Sequence, residues 1–149
     1  MSSIAGKLSI PLFGAYSGSK FALEGMSDAL RLELYPFGIY VVLLEPSYIR
    51  TSFQNTSVEL SSSYAAAAAS SPYAAVYESF RGSWKKRAQK APGTPEDCAR
   101  VVLRAIQETP PKPRYTVTRR ARMLSLAKRL LSDRALDSRV LRMFGLERR

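Results

Sequence analysis

The first half of the chain shows the apolar periodicity of a helix and then that of a strand. Apolar residues recur at spacings of three and four between positions 16 and 35, which predicts an amphipathic helix over residues 16–35. This stripe consists of Leu23, Met26, Leu30 and Leu34. Pro36 and Gly38 then favour the end of the helix. Residues 39–44 are apolar without interruption and rich in β-branched and aromatic side chains, which predicts a strand covered on both faces in a parallel sheet.

The middle of the chain is more polar and less regular. Residues 52–75 are rich in serine, threonine and alanine, so we expect a mobile excursion with one or two short helices. A polar, basic helix is expected near residues 76–90. Thr94 is followed by a proline and two acidic residues, which predicts the start of another helix that runs to about residue 108. We expect Cys98 to be a small buried residue on this helix.

The last part of the chain combines one short strand with two basic helices. A proline-rich break follows residue 109, and residues 114–118 form a strand candidate. Apolar residues then recur at helical spacing within two basic segments, from about 119 to 131 and from about 134 to 144. The sequence therefore predicts two amphipathic helices at this end of the chain.

Composition bounds the chemistry that this chain can perform. The 149 residues suit one domain, and a content of 46% hydrophobic and 23% charged residues is that of a soluble globular protein. The sequence contains no histidine and only one cysteine. Nucleophile pairs and metal sites that need histidine are therefore excluded, and so is an internal disulfide. Because no apolar run is long enough to span a membrane, we expect a cytoplasmic protein.

Charge is distributed unevenly along the chain. The net charge is +11, and the excess lies in residues 61–149, since residues 1–60 hold four basic and five acidic side chains. A basic segment attracts nucleic acid, anionic lipid or an anionic ligand, but it is also typical of a solvated surface. We do not expect nucleic acid to be the partner, and we keep an anionic membrane surface as an alternative.

Tyr16 and Lys20 form the first chemical motif of the sequence. They are four residues apart, so on a helix they share one face. A phenol is a poor base near neutrality, but a cation about 4 Å away stabilises the phenolate by several kcal/mol at an effective dielectric constant of about 20. A tyrosine beside a lysine in a cleft can therefore donate and accept a proton without histidine.

The surroundings of this pair resemble the catalytic half of the classical short-chain dehydrogenases/reductases. In that family a serine precedes the catalytic tyrosine by thirteen residues, as Ser3 precedes Tyr16, and the lysine of the YxxxK motif follows by four, as Lys20 does. A proline turn and a threonine follow the next strand, as Pro46 and Thr51 do here. The matching segments are Ser2-Ser3-Ile4-Ala5-Gly6, Tyr16-Ser17-Gly18-Ser19-Lys20-Phe21-Ala22-Leu23-Glu24-Gly25 and Glu45-Pro46-Ser47-Tyr48-Ile49-Arg50-Thr51.

The resemblance implies a role for each matching residue. Tyr16 would exchange a proton with the substrate oxygen, Lys20 would assist it and hydrogen-bond the nicotinamide ribose, and Ser3 would hold the substrate oxygen. The residues implied to line the cofactor, besides Tyr16 and Lys20, are Pro46, Ser47, Ile49 and Thr51. Ser47 stands where the family usually has glycine, which implies a reshaped turn because serine tolerates a positive φ less well.

The resemblance also implies a fold and a reaction. The fold would be α/β, the C-terminal half of a Rossmann-like, doubly wound sheet with extra basic helices. Residues 1–118 would form the catalytic region, with 52–90 as a lid, and residues 119–149 would form the basic helices. The protein would transfer hydride between NAD or NADP and an alcohol or ketone of steroid, retinol or lipid type. The family's glycine-rich pyrophosphate turn does not occur in this sequence, so we expect an incomplete chain.

Two other interpretations remain open. An inactive fragment could act as an interaction module through helix 16–35, which in the family often packs against a second copy, so a homo-oligomer is expected if the protein is complete. The second alternative is a module that lies on anionic membranes through the helices of residues 119–144, which would make the protein a peripheral membrane protein.

Overall fold

The computed structural model describes residues 1–60, 64, 67–89 and 93–147. Helices in these residues are α1 (Gly14–Leu34), α2 (Phe53–Leu60), α3 (Ala74–Gln89), α4 (Pro95–Gln107), α5 (Arg119–Leu130) and α6 (Asp133–Phe144), with single 3-10 turns at Ile4–Gly6 and Tyr35–Phe37. Strands β1 (Leu43–Glu45) and β2 (Arg114–Thr116) pair in parallel. Helices around a small parallel sheet make this a partial Rossmann-like α/β fold, as predicted.

Strand β1 lies between β2 and the first residues of the chain. On one side, Leu43 pairs with Arg114 in the parallel register. On the other side, the Ser2 N–H donates to the Leu44 carbonyl and the Ile4 N–H donates to the Pro46 carbonyl, each at 2.9 Å. The segment before the first 3-10 turn therefore runs along the edge of β1 and ends beside its carboxyl end.

The prediction of a long strand covered on both faces is wrong for residues 39–42. Extended pairing begins only at Leu43, whose N–H donates to the Pro113 carbonyl at 2.9 Å. Upstream of Pro113 the partner segment is proline-rich, and proline has no N–H to donate to a sheet. Ile39 and Tyr40 are consequently 50% and 49% exposed.

Helix α1 has nearly the predicted bounds, but it turns a polar face inward. Ser17 and Glu24 are buried, whereas Met26 and Leu30 of the apolar stripe are 72% and 44% exposed. Close contact with the first 3-10 turn fixes this orientation. A Cβ atom on Gly6 would lie 2.8 Å from Glu24 Cγ and 3.0 Å from the Lys20 carbonyl oxygen. Only glycine at position 6 lets the turn approach the helix so closely.

Aromatic side chains form the main apolar cluster of the described residues. Phe80 and Trp84 on α3 stack on each other, and Phe80 stacks on Phe144 at the end of α6, at centroid distances of 5.5 Å and 5.4 Å. The ring of Phe13, just before α1, lies 4.7 Å from that of Trp84. The cluster therefore joins α3 and α6 to the start of α1.

The predicted start of α4 is confirmed by its cap. Thr94 accepts a hydrogen bond from the Asp97 N–H, and Asp97 accepts one from the Thr94 N–H, so α4 begins with a capping box. Cys98 is half-buried rather than buried, and burial raises the pKa of its thiol. Parts of three predicted segments lie outside the described residues, namely 61–63 with 65–66, residue 90, and 148–149.

None of the helices in the described part of the chain is long and apolar enough to cross a membrane.

Candidate active site

Ser3 and Pro46 meet at the carboxyl end of β1. The buried Ser3 hydroxyl donates to the Pro46 carbonyl at 3.5 Å, and its oxygen accepts a hydrogen bond from the Ala5 N–H at 3.1 Å. Ser3 therefore caps the first 3-10 turn. Because a hydroxyl oxygen has two lone pairs, this capping role leaves one of them for a ligand.

Tyr16 and Lys20 lie one turn apart on the same side of α1, as their spacing predicts. The Lys20 Nζ lies 5.6 Å from the centroid of the Tyr16 ring, and it donates to the Met1 carbonyl at 3.5 Å. The ammonium group thus stands between the phenol and the segment that carries Ser3. No hydrogen bond joins Ser3 to Tyr16, although both residues are among those described.

Aromatic contacts connect Tyr16 to the segment that follows β1. Its ring meets the edge of the Phe13 ring at 5.6 Å and lies 5.8 Å from the Phe53 ring at the start of α2. The Phe53 N–H donates to Thr51 Oγ1 at 3.3 Å. Thr51 is exposed, and its hydroxyl accepts this bond at the start of α2. Thr51 is therefore connected to Tyr16 indirectly, since Phe53 contacts both residues.

The other predicted cofactor residues follow β1 directly. Pro46 is buried, while Ser47 and Ile49 are half-buried. Ser47 Oγ is a buried hydroxyl without a hydrogen-bond partner in the described part of the chain. Ile49 forms an isolated parallel bridge with Gly93, where a Cβ atom would lie 2.5 Å from Ile49 Cδ1. A turn with an unsatisfied hydroxyl therefore stands at the end of a parallel strand, where open α/β sheets bind ligands.

Sequence reasoning missed an ion network between α1 and the sheet. Arg114 on β2 donates through Nε to Glu24 at 2.9 Å and through Nη2 to Asp28 at 2.7 Å. The hydrogen bond from Arg114 holds the pKa of Asp28 below its ordinary value, and a second bond from Arg31 adds to this effect. Glu24 and Asp28 are four residues apart on the helix that carries Lys20, which was the available signal for an acidic helix face.

Glu45 extends this network into the sheet. Its side chain is almost fully buried and forms ion pairs with Lys7 Nζ at 2.7 Å and Arg114 Nε at 3.4 Å. Glu45 directly precedes Pro46, and Lys7 directly follows the 3-10 turn that Ser3 caps. The network therefore ties together the elements that position Ser3, Tyr16 and Lys20.

A shallow groove of about 380 Å³ lies near the start of α1. Leu12, next to Phe13 in the chain, forms one wall, and tyrosines form much of the rest. The lining consists of Leu12, Tyr64, Ala67, Ala68, Ser71, Tyr73 and Tyr77. Apolar and aromatic walls of this kind suit a ligand with a bulky apolar part.

Comparison with known proteins identifies the family. The short chain dehydrogenase family matches residues 1–61. The probable short-chain type dehydrogenase/reductase VdlC of Helicobacter pylori is 35% identical over 144 residues, which cover 93% of this chain and 49% of that protein. The uncharacterized oxidoreductase YbbO of Escherichia coli is 37% identical over 143 residues, covering 91% of this chain and 45% of that protein. The NADPH-dependent 3-dehydrocapnine reductase of Ornithobacterium rhinotracheale is 32% identical over 137 residues, covering 92% and 47%.

The chain spans about half the length of the curated relatives that it matches. The matched residues 1–61 contain the serine, the tyrosine and the lysine described above, together with the turn after β1. This chain therefore belongs to the short-chain dehydrogenase/reductase family.

Proposed function

We propose that the protein with this chain is an NAD(P)-dependent oxidoreductase that interconverts an alcohol and a carbonyl compound. The observation that carries the proposal is the position of the Lys20 ammonium, which lies over the Tyr16 ring and bonds to the carbonyl of Met1. The ammonium group therefore connects the phenol on α1 to the segment that carries the Ser3 hydroxyl, which supports the proposal. The catalytic groups lie within residues 1–118, and residues 119–149 are an addition to them.

Three side chains would act on the substrate. Tyr16 donates a proton to the carbonyl oxygen during reduction and takes it back from the alcohol during oxidation. Lys20 would assist Tyr16 through its positive charge, which lies 5.6 Å from the centroid of the Tyr16 ring. Ser3 would turn its hydroxyl hydrogen from the Pro46 carbonyl to the same substrate oxygen, where the new hydrogen bond stabilises the negative charge that develops.

The residues after β1 fit a nicotinamide dinucleotide. When bound, this cofactor supplies or accepts the hydride. Ser47 brings a buried hydroxyl that lacks a partner among the described residues, and Pro46 and Ile49 offer an apolar surface to a planar ring. Thr51 and Ile49 would hydrogen-bond the carboxamide, and Lys20 the ribose. One relative is named as NADPH-dependent, which supports NADPH as the first cofactor to test.

The substrate is proposed to be a bulky, largely apolar ketone or alcohol, of steroid, retinol or lipid type. The tyrosine-lined groove beside Leu12 supports this class because it offers apolar and aromatic contact to a large substrate. Residues 52–90, which contribute most of the groove, would act as the lid. A relative named for the reduction of 3-dehydrocapnine supports a carbonyl substrate.

Helix α1 is proposed to pair with a second copy of the chain. Several large apolar side chains of this helix are exposed, and exposed apolar surface favours a protein partner over water. These residues are Phe21, Met26, Leu30 and Leu32. A homo-oligomer in the cytoplasm is therefore the proposed assembly.

The test is NADPH oxidation by purified protein that contains residues 1–149, with a panel of apolar ketones. We expect Tyr16→Phe to lower kcat by about 10²–10⁴-fold, the usual contribution of a positioned acid–base group. Tyr35→Phe is the matched control, because Tyr35 lies exposed at the end of α1, and its activity should stay within about twofold of the parent. Equal activity of the two variants would show that Tyr16 is not the acid–base group. Absence of NADPH oxidation by the parent with every ketone would refute the proposed oxidoreductase activity.

A further inference from the structure

Helix α5 is held on the protein by one face. Ala121 on this face is completely buried, and its N–H donates to the Thr118 hydroxyl that caps the helix. The Arg120 guanidinium lies over the Tyr48 ring, 5.4 Å from its centroid. The orientation of the helix is therefore fixed, and its opposite face points away from the molecule.

The outward face of α5 is built from arginine and large apolar residues alone. Six residues of this helix are exposed, and at 3.6 residues per turn they fall within about 120° of its circumference. Met123 and Leu130 are each 71% exposed and Leu126 is 54% exposed. The complete set is Arg119, Arg122, Met123, Leu126, Arg129 and Leu130.

The three arginines on this face do not serve the stability of the fold. Within residues 1–60, 64, 67–89 and 93–147, none of them forms an ion pair with a carboxylate. Arg119 stands in the first turn of α5, which contains no acidic residue. The helix dipole disfavours a cation there. An unpaired cation at an unfavourable end of a helix indicates a partner outside the chain.

The combination of arginines and large apolar side chains on this face indicates which kind of partner it can bind. We propose that the outward face of α5 binds the surface of a membrane that contains anionic lipids. The arginines lie at the level of the phosphate groups while Met123, Leu126 and Leu130 enter the boundary of the acyl chains, the arrangement of interfacial amphipathic helices. Nucleic acid would meet the arginines but leave the apolar stripe in water. A second copy of this face would oppose three cations with three cations.

The inference does not depend on the proposed oxidoreductase activity, and it is tested by sedimentation with vesicles. Purified chain should bind vesicles of phosphatidylglycerol and phosphatidylcholine in equal parts, and not vesicles of phosphatidylcholine alone. Replacement of Arg119, Arg122 and Arg129 by Gln should weaken binding by about a hundredfold, since each cation near an anionic surface contributes about a factor of five. Raising the salt concentration should weaken the parent in the same direction.

The control removes the same number of charges elsewhere. Arg81, Arg100 and Arg104 are exposed, but each is paired with an acidic residue three or four positions away on or next to its own helix. Replacing these three by Gln lowers the net charge equally and should change binding by less than about threefold. Equal losses in the two triple variants would overturn the proposal, because binding would then follow net charge and not this face.

A second pair of variants tests the apolar stripe. Leu126→Ser should weaken vesicle binding by about tenfold, whereas Leu103→Ser on α4, where the side chain is 59% exposed, should leave it unchanged. If Leu126→Ser binds as the parent does, the stripe does not enter the membrane and the proposal fails. Retention of the chain by duplex DNA, with no binding to either vesicle, would overturn it in favour of nucleic acid.

Discussion

The Arg114 Nε lies 2.9 Å from Glu24 Oε2, a contact that joins β2 to α1 across 90 residues of sequence. Helix α1 is therefore fastened to the sheet through charge, while much of its apolar stripe stays exposed. Tyr16 and Lys20 lie on this helix, and Ser3 lies on the segment that β1 holds. The position of Tyr16 and Lys20 relative to Ser3 therefore depends on the ion pairs between α1 and the sheet.

Arg114→Met should lower the free energy of unfolding by about 2–4 kcal/mol, because it leaves the carboxylates of Glu24 and Glu45 with too few partners at buried positions. Methionine keeps most of the side-chain volume, so the loss reports charge and hydrogen bonding. Urea unfolding followed by circular dichroism measures it. Arg100→Met, which removes an exposed pair with Asp97, should cost less than about 1 kcal/mol. A loss no larger in Arg114→Met than in this control would contradict a structural role for the network.

Asp28 should give the protein a specific sensitivity to acid. Its pKa in the folded state is held below the ordinary value of 3.8, first by the hydrogen bond from Arg114. A carboxyl whose pKa is depressed on folding contributes stability above its unfolded value and loses it as the pH falls through the folded value. Asp28→Asn should therefore be less stable than the parent by a constant amount above about pH 5, and the gap should close below the ordinary value.

Unfolding free energies of the two proteins across this range of pH measure the gap. Repeating the comparison in an Arg114→Met background is the control, since it removes the largest cause of the shift. The gap should then shrink in the range above about pH 5, where the parent shows it in full. An undiminished gap would show that Asp28 stabilises the fold through some other contact.

Gly6→Ala should separate the turn that carries Ser3 from α1. The new methyl group would lie 3.0 Å from the Lys20 carbonyl oxygen, and a helix backbone cannot move aside easily. We expect a loss of about 1–3 kcal/mol of stability, typical of overpacking, and a lower kcat because Ser3 moves. Gly82→Ala, where no atom lies within 4 Å of the new methyl group, should stabilise α3 by up to about 1 kcal/mol. Thermal melting of both variants measures these changes in stability. A Gly6→Ala protein as stable as the parent would show that the turn can accommodate a Cβ atom at position 6.

Lys20→Met should lower kcat by about 10²–10³-fold, since it removes the positive charge beside the Tyr16 phenol. Lys20→Arg keeps the charge and should retain more activity than Lys20→Met. Steady-state rates with NADPH and an apolar ketone provide the measurement. Lys112→Met, at an exposed position before β2, serves as the control and should leave the rate unchanged. If Lys20→Arg and Lys20→Met lose the same activity, the charge of Lys20 is not what Tyr16 requires.

Local sequence patterns predicted the features that depend on residues close together in the chain, such as helix bounds and helix caps. The bounds of α1 follow from its periodicity and from Gly38, which adopts a left-handed conformation with φ of 70° after the 3-10 turn that follows the helix. The shared side of Tyr16 and Lys20 follows from their spacing on a helix. Thr94 and Asp97 predicted the start of α4 because a capping box is complete within four residues.

Contacts between distant residues were outside the reach of these patterns. The buried polar face of α1 depends on Arg114, and no periodicity links that residue to Glu24. The strand after α1 is shorter than predicted because its partner segment is rich in prolines, which donate no hydrogen bonds. The contact of Ser3 with Pro46 was not predicted, since no local pattern in the sequence pairs these two residues. The burial of Ser47 Oγ, which has no partner among the described residues, depends on tertiary packing that the local sequence does not reveal.

The Arg50 N–H donates to the Gly93 carbonyl at 3.0 Å, so the polypeptide between these residues leaves and returns at one point of the scaffold. Because the ends of this segment are already close together, exchanging or lengthening it adds little to the entropic cost of folding. Ser3, Tyr16 and Lys20 lie outside this segment, and an exchange that keeps an aromatic residue at position 53 keeps the ring contact of Tyr16. Substitutions in this segment can therefore change substrate selectivity while the proposed catalytic residues stay the same. A chimera that takes this segment from another family member is expected to show the substrate selectivity of that member.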